Sequence, residues 1–120
     1  MKLKQVVLAV AAAAEAATGV VLIAYPPIVV QLLFGVDIDG ISIMMSRITG
    51  IALISLGVAC WPGNSAVQQL YGMLTYSTLA MLYLMYIGVR GEAVGLLLWP
   101  AVVLHASLVA LLLAARFKDK

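Results

Sequence analysis

The sequence predicts an all-α fold: an integral membrane four-helix bundle with a short interfacial helix between the first and second spans. Two observations carry that expectation. Of the 120 residues, 65% are hydrophobic and 10% charged, against about 25% charged in ordinary soluble domains. A chain this short keeps a large fraction of its surface in solvent, so an aqueous fold would leave far too much apolar area exposed. Secondly, the apolar residues fall into four runs, and each is long enough for the roughly 20 residues a helix needs to cross ~30 Å of hydrocarbon. A strand barrel would alternate apolar and polar residues; these runs do not.

The first span covers about residues 3–25 and is broken by Pro26 and Pro27, which cannot continue a helix. The apolar part of the following PIVVQLLFGVDIDG is too short to cross and suits an interfacial or re-entrant piece. A second span, about 40–61, stops at the PGNS turn; a third, about 65–89, opens at Ser65; a fourth, about 93–115, has Pro100 near its outer end. No linker, low-complexity tail or repeat divides the chain, so residues 1–120 are expected to form one transmembrane domain. The opening MKLKQVVLAVAAAAEA has the basic, apolar and small-residue order of a secretory signal, and is expected to be retained as the first span.

Charge placement sets the expected orientation, because basic residues stay on the cytoplasmic side. Lys2, Lys4, Arg116, Lys118 and Lys120 flank the two termini, whereas the opposite loops hold Arg90 with Asp37, Asp39 and Glu92. Both termini are therefore expected in the cytoplasm, with the chain in a bacterial inner membrane. No basic groove with interleaved aromatics accompanies the positive balance, so the lipid bilayer and not nucleic acid is the expected partner. Cys60 is the lone cysteine, which rules out an internal disulfide or a cysteine metal cluster within one chain.

Helices approach one another in lipid through small residues. Candidate rows are Ala9, Ala13 and Ala17; Ser46 and Gly50; Ser55 and Ala59; and Ala106, Ala110 and Ala114. They outnumber the faces one bundle needs, which points to a homo-oligomer or a larger membrane complex. The third span carries Tyr76, Tyr83, Tyr86 and Arg90 at helical spacing, readable as a polar cavity lining or as an interfacial aromatic belt. Methionines such as Met44, Met73 and Met85 read as adaptable packing, and no metal site is expected.

Three ionisable residues fall inside the spans: Glu15, Arg47 and His105. A charge at bilayer depth costs about 2.5 to 3.5 kcal/mol or more, so each needs a protein or water partner. Arg47 is the expected partner of Glu15, since at 1.5 Å per residue their depths differ by roughly 4 to 5 Å, within reach of a long guanidinium side chain. Such a pair would lock two helices in register. If Arg47 instead turns outward to Asp37 or Asp39, Glu15 is left to bind a proton or cation. His105 is expected to be neutral and bonded to Tyr76 or a carbonyl, or else to hold haem or a quinone. No catalytic triad, phosphate loop or nucleotide fingerprint occurs, so no catalytic residue is assigned.

The stretch AAAAEAATGVVL, with Glu15 in the first of four short helices, resembles the small multidrug resistance transporters, which implies a glutamate that exchanges protons for cationic drugs. The third helix lacks that family's aromatic pattern. MMSRITGIALISLGVACW and YPPIVVQLLFGVDIDG resemble the small bacterial four-helix membrane proteins of the DoxX-like type, which implies architecture and not activity. Three functions follow as expectations: first a non-catalytic oligomeric or accessory membrane subunit, not an enzyme and without a cofactor; then a small proton-linked transporter using Glu15, with Tyr76, Tyr83 and His105 along its path; then a redox subunit with haem or quinone near His105.

Overall fold

The computed structural model describes residues 3–63, 66–91 and 93–118. Lys2, Ser65, Glu92 and Lys120 of the expectations above lie outside the described residues. Five helices follow in order: α1 (Leu3–Ala24), α2 (Pro26–Phe34), α3 (Ile41–Ala59), α4 (Ala66–Arg90) and α5 (Leu98–Lys118). Four of them, α1, α3, α4 and α5, are long and apolar enough to cross a membrane. The all-helical class and the short helix after the first long one are as expected.

Backbone bookkeeping explains the ends. The Tyr25 N–H closes α1 on the Val21 carbonyl at 2.8 Å. Pro26 and Pro27 have no N–H to offer the carbonyls of Leu22 and Ile23, so α1 stops there. The same prolines suit the first turn of α2, where those donors are not needed. At its far end α2 is closed by Gly35, whose left-handed φ of 68° lets its N–H reach the Gln31 carbonyl at 2.9 Å. The next two carbonyls of α2, on Leu32 and Leu33, accept from Leu97 at 2.7 Å and Gly95 at 2.9 Å, both in the connection between α4 and α5. That pairing corrects the expected start of the last span. The N–H groups of Gly95 and Leu97 face α2 instead of entering a helix, and α5 begins at Leu98 with Pro100 in its first turn.

Packing centres on α1. It lies along α3 so closely that a methyl group on Gly50 would stand 2.6 Å from the Gly19 carbonyl oxygen, and one on Gly57 2.7 Å from that of Ala12. The α1 row that makes this contact is Ala12, Ala16 and Gly19. Of the expected row Ala9, Ala13 and Ala17, Ala13 and Ala17 face outward, so it is not the row that meets α3. Gly50 and Gly57 lack a Cβ and so mark where α3 can come closest, and α1 turns its own small face to meet them. Ser55, Ala59, Ala110 and Ala114 also remain exposed.

The second pair is α4 with α5, and α1 touches both, whereas α3 forms no packing face of comparable extent with either. At the end that carries the termini, Leu8, Ala11, Leu70, Met73, Leu108 and Leu112 form a buried core. There Arg116 Nε donates to the Tyr71 hydroxyl at 3.0 Å, fastening α5 to α4. The link between α3 and α4 is tied by Gln69, whose amide donates to the carbonyls of Ala59 at 3.2 Å and Trp61 at 2.6 Å. Toward the α2 end the two pairs are not filled in by side chains, and α2 roofs the space between them.

Gly50→Ala and Gly57→Ala should each lower the unfolding free energy in detergent by about 1 to 3 kcal/mol, because the new methyl meets backbone that cannot step aside. Gly72→Ala is the contrast: its methyl would stand 3.7 Å from Cys60 Sγ, so the variant should match the parent or exceed it by up to about 1 kcal/mol. Denaturant titrations followed by circular dichroism check the difference, and equal losses at all three sites would contradict the packing.

Candidate functional site

Glu15 sits midway along α1 and is 5% exposed. Its carboxylate faces α5, where His105 Nε2 lies 3.6 Å from Oε1. From α4, Tyr76 lines the same cavity wall as Glu15 and His105. The Tyr76 ring centroid is 6.1 Å from that of His105, with the planes tilted by 58°. Three helices thus deliver one acidic, one basic and one phenolic group to a single point. Glu15 and His105 are roughly 13 and 10 Å in from the α2-side ends of their helices, counting 1.5 Å per residue, so their depths differ by only about 3 Å.

Arg47 is elsewhere. Its Nε donates to the Ile23 carbonyl at 3.2 Å, and the side chain is exposed. The expected Glu15–Arg47 pair is therefore corrected, with a reason that lies in the chain. A helical carbonyl at Ile23 would accept from residue 27, which is proline, and Arg47 supplies the missing donor. A cation at the C-terminus of α1 is also favoured by the helix dipole.

The proton arrangement at His105 follows from its other nitrogen. Nδ1 lies 2.8 Å from the Ala101 carbonyl oxygen. A carbonyl only accepts, so Nδ1 carries a proton and donates it. Nε2 then faces the Glu15 carboxyl group, and a proton taken up by the pair would rest either on Nε2, as imidazolium against carboxylate, or on Glu15, as neutral imidazole against carboxylic acid. At 3.6 Å the contact is longer than a good hydrogen bond. Nε2 is one of two buried side-chain polar atoms without a partner among the described residues; the other is Ser77 Oγ.

The cluster opens into a cavity of about 720 Å³ that draws on all five helices. Its walls are mostly apolar, with Val29, Leu33 and Phe34 of α2 as the roof and Leu53 and Leu84 at the sides. Three aliphatic hydroxyls line it as well. Thr18 donates to Ala14 O at 2.9 Å, Ser46 to Ser42 O at 2.8 Å and Thr49 to Met45 O at 2.9 Å. Each proton is thereby committed to its own helix, and the oxygen lone pairs are what the hydroxyls have left to offer.

The expected tyrosine row divides by face. Tyr76 is inside. Tyr83 lines the rim, 65% exposed, and stacks on Tyr86 with centroids 6.3 Å apart. Tyr86 lies outside under the Arg90 guanidinium, 5.9 Å from its ring centroid. Residues that sequence reasoning did not place at the site are the α2 roof, Thr18 and Thr49, whereas the carbonyl expected beside His105 is that of Ala101. Ser46 was legible as a small residue but not as a cavity wall.

The chain contains one histidine, so ¹⁵N-histidine labelling reports on a single imidazole. Nδ1 should be protonated at every pH at which the fold persists. Glu15→Gln should move the Nε2 resonance, whereas Arg47→Gln should leave both nitrogens in place. A bare Nδ1, or equal effects of the two substitutions, would show the cluster to be wrongly assigned. Comparison with protein-family models, with curated proteins and with solved structures finds no match to this chain, so the geometry around Glu15 and His105 carries the functional reading.

Proposed function

We propose that the protein is a small proton-linked carrier of the bacterial cytoplasmic membrane, with both termini cytoplasmic, in which Glu15 and His105 hold the carried proton. One observation supports this above the rest: the Glu15 carboxyl group and the His105 imidazole, 3.6 Å apart, form part of the wall of a cavity instead of lying in solid packing. A pair needed only to fix helix register would be best served by dry, close contact on every side. Here the proton-holding groups face a space large enough for a small molecule, since ligand cavities run from about 300 to 1,000 Å³. The orientation rests on Lys4, Arg116 and Lys118 near the termini against Asp37 and Asp39 at the other end. Haem ligation by His105 would require the imidazole to part from Glu15, because Nδ1 is already engaged.

Assembly into a homo-oligomer, or with another membrane subunit, is a second reading with its own support. Ala13 and Ala17, Ser55 and Ala59, and Ala110 and Ala114 are left outward after the chain has packed against itself. Such faces suit close helix contact in lipid. The two readings are compatible, since a carrier this small can work as an assembly.

Proteoliposomes loaded with a pH-sensitive dye test the carrier reading. With a potassium diffusion potential imposed, the parent protein should conduct protons above the rate of protein-free vesicles, and Glu15→Gln should return the rate to that background while keeping the helical content. Undiminished flux in the Glu15→Gln variant would remove the proposal.

A further inference from the structure

Resting on the reading of Glu15 and His105 as the binding site, we propose that the cavity takes an apolar molecule with a hydroxyl head group, drawn from the lipid phase, and that the hydroxyl lies between Nε2 of His105 and the Glu15 carboxylate. The first support is the mismatch at the pair itself. A separation of 3.6 Å leaves a buried nitrogen without a hydrogen bond, and an unsatisfied buried polar atom is costly. A third group inserted there would bond to both sides once they part slightly.

A proton held by the pair, as the carrier reading has it, says which group. When the proton is on Nε2, the inserted group must accept from His105 and donate to the carboxylate. When it is on Glu15, the same group must accept from the carboxylic acid and donate to Nε2. A hydroxyl does both. An ammonium group only donates, an ether or ketone only accepts, and a carboxylate would bring negative charge beside Glu15. In passing from one form to the other, Glu15 gives its proton to the hydroxyl oxygen as that oxygen's own proton goes to Nε2, so the head group is unchanged and the site stays neutral overall. Neutrality matters because a net charge in a cavity of this composition is strongly penalised.

The rest of the cavity suits such a molecule. The proton of Thr49 is already spent on Met45 and its oxygen can only accept, so a second hydroxyl on the ligand would be welcomed and a bare acceptor would not. The walls beyond the pair are apolar, with Leu33 and Phe34 closing the α2 end. Water would satisfy the pair but leave those walls without an occupant. Access is sideways. No substantial packing joins α3 to α4 or α5, and the cavity residues on the flank, Tyr83 and Leu104, are 65% and 50% exposed. A molecule dissolved among acyl chains can slide in there without crossing water.

A matched series separates the possibilities: dodecanol, its methyl ether, dodecylammonium and dodecanoate, each added to the parent protein in lipid nanodiscs. Native mass spectrometry reads occupancy, and the ¹⁵N signal of the single histidine reads position. Dodecanol should bind one per chain and move the Nε2 resonance, and the methyl ether should bind at least about tenfold more weakly, since a site built around a hydroxyl penalises its loss. If the ether, the ammonium or the carboxylate binds as well as the alcohol while moving Nε2, the hydroxyl assignment is overturned and the carrier reading survives. If no member moves Nε2, the cavity is not the binding site for this class and the inference falls, while the flux of the Glu15→Gln variant still decides the carrier reading on its own.

Discussion

A carboxylate among hydrocarbon side chains must find a polar partner or a proton, and satisfying Glu15 fixes the rotation of α1. The helix has two working faces side by side. One, Ala12, Ala16 and Gly19, is flat enough for α3 to come into backbone contact. The neighbouring one, Leu8, Ala11, Glu15 and Leu22, is buried and brings the carboxylate to His105 on α5. A rotation of α1 that moved Glu15 outward would also drive α3 off the glycines, and a rotation the other way would push Cβ atoms into the Gly50 backbone. Neither demand could be met separately, which is why α1, and not the bundle axis, is the element on which the other helices are placed.

The second economy is in backbone carbonyls. Two adjacent prolines strip α1 of its last donors and at the same time start α2, so the chain turns without a long loop. Arg47 makes up the loss at Ile23, and Gly95 with Leu97 makes up the corresponding loss at the end of α2. At Gly95 the approach is so close that any Cβ would run into the Leu32 carbonyl oxygen. A nine-residue helix has little stability of its own. Its far end is kept in place over the cavity by donors from the α4–α5 connection, so the roof depends on residues far from it in sequence.

Much of this was legible from composition and order. The four long helices follow from run length, the break from Pro26 and Pro27, and the need of Glu15 for a protein partner from the cost of a stranded charge. The identity of that partner was not, because depth along consecutive helices says nothing about rotation, and Arg47 and His105 both lie at workable depths. The decisive clue was nonetheless present: counting four residues back from Pro27 marks Ile23 as a carbonyl in want of a donor, one that Arg47 could fill. The small-residue register was harder. With alanines at 11, 12, 13, 14, 16 and 17, several rows of four can be drawn on α1, and only Gly19 distinguishes the one that packs. Nothing in the chain order indicated that α2 would fold back over a cavity, since that depends on N–H groups of Gly95 and Leu97 that read as helix.

The committed Nδ1 proton of His105 has a mechanical consequence. Had the ring been free to turn, Nε2 and Nδ1 could exchange roles and the proton between histidine and Glu15 would be lost into alternative hydrogen bonds. With Nδ1 held by Ala101 at 2.8 Å, the ring has one orientation and one nitrogen for the exchange. On the carrier reading, an occupant of the gap would therefore meet a fixed donor and acceptor pair whose polarity reverses with the position of one proton. Occupancy and protonation are then linked in both directions: what binds between the groups changes where the proton rests, and where the proton rests changes which contacts the occupant makes. That reciprocity needs no moving domain. It needs only a rigid imidazole, a buried carboxylate and a cavity that lets a third group come between them, and α1, α5 and the α2 roof supply these three conditions.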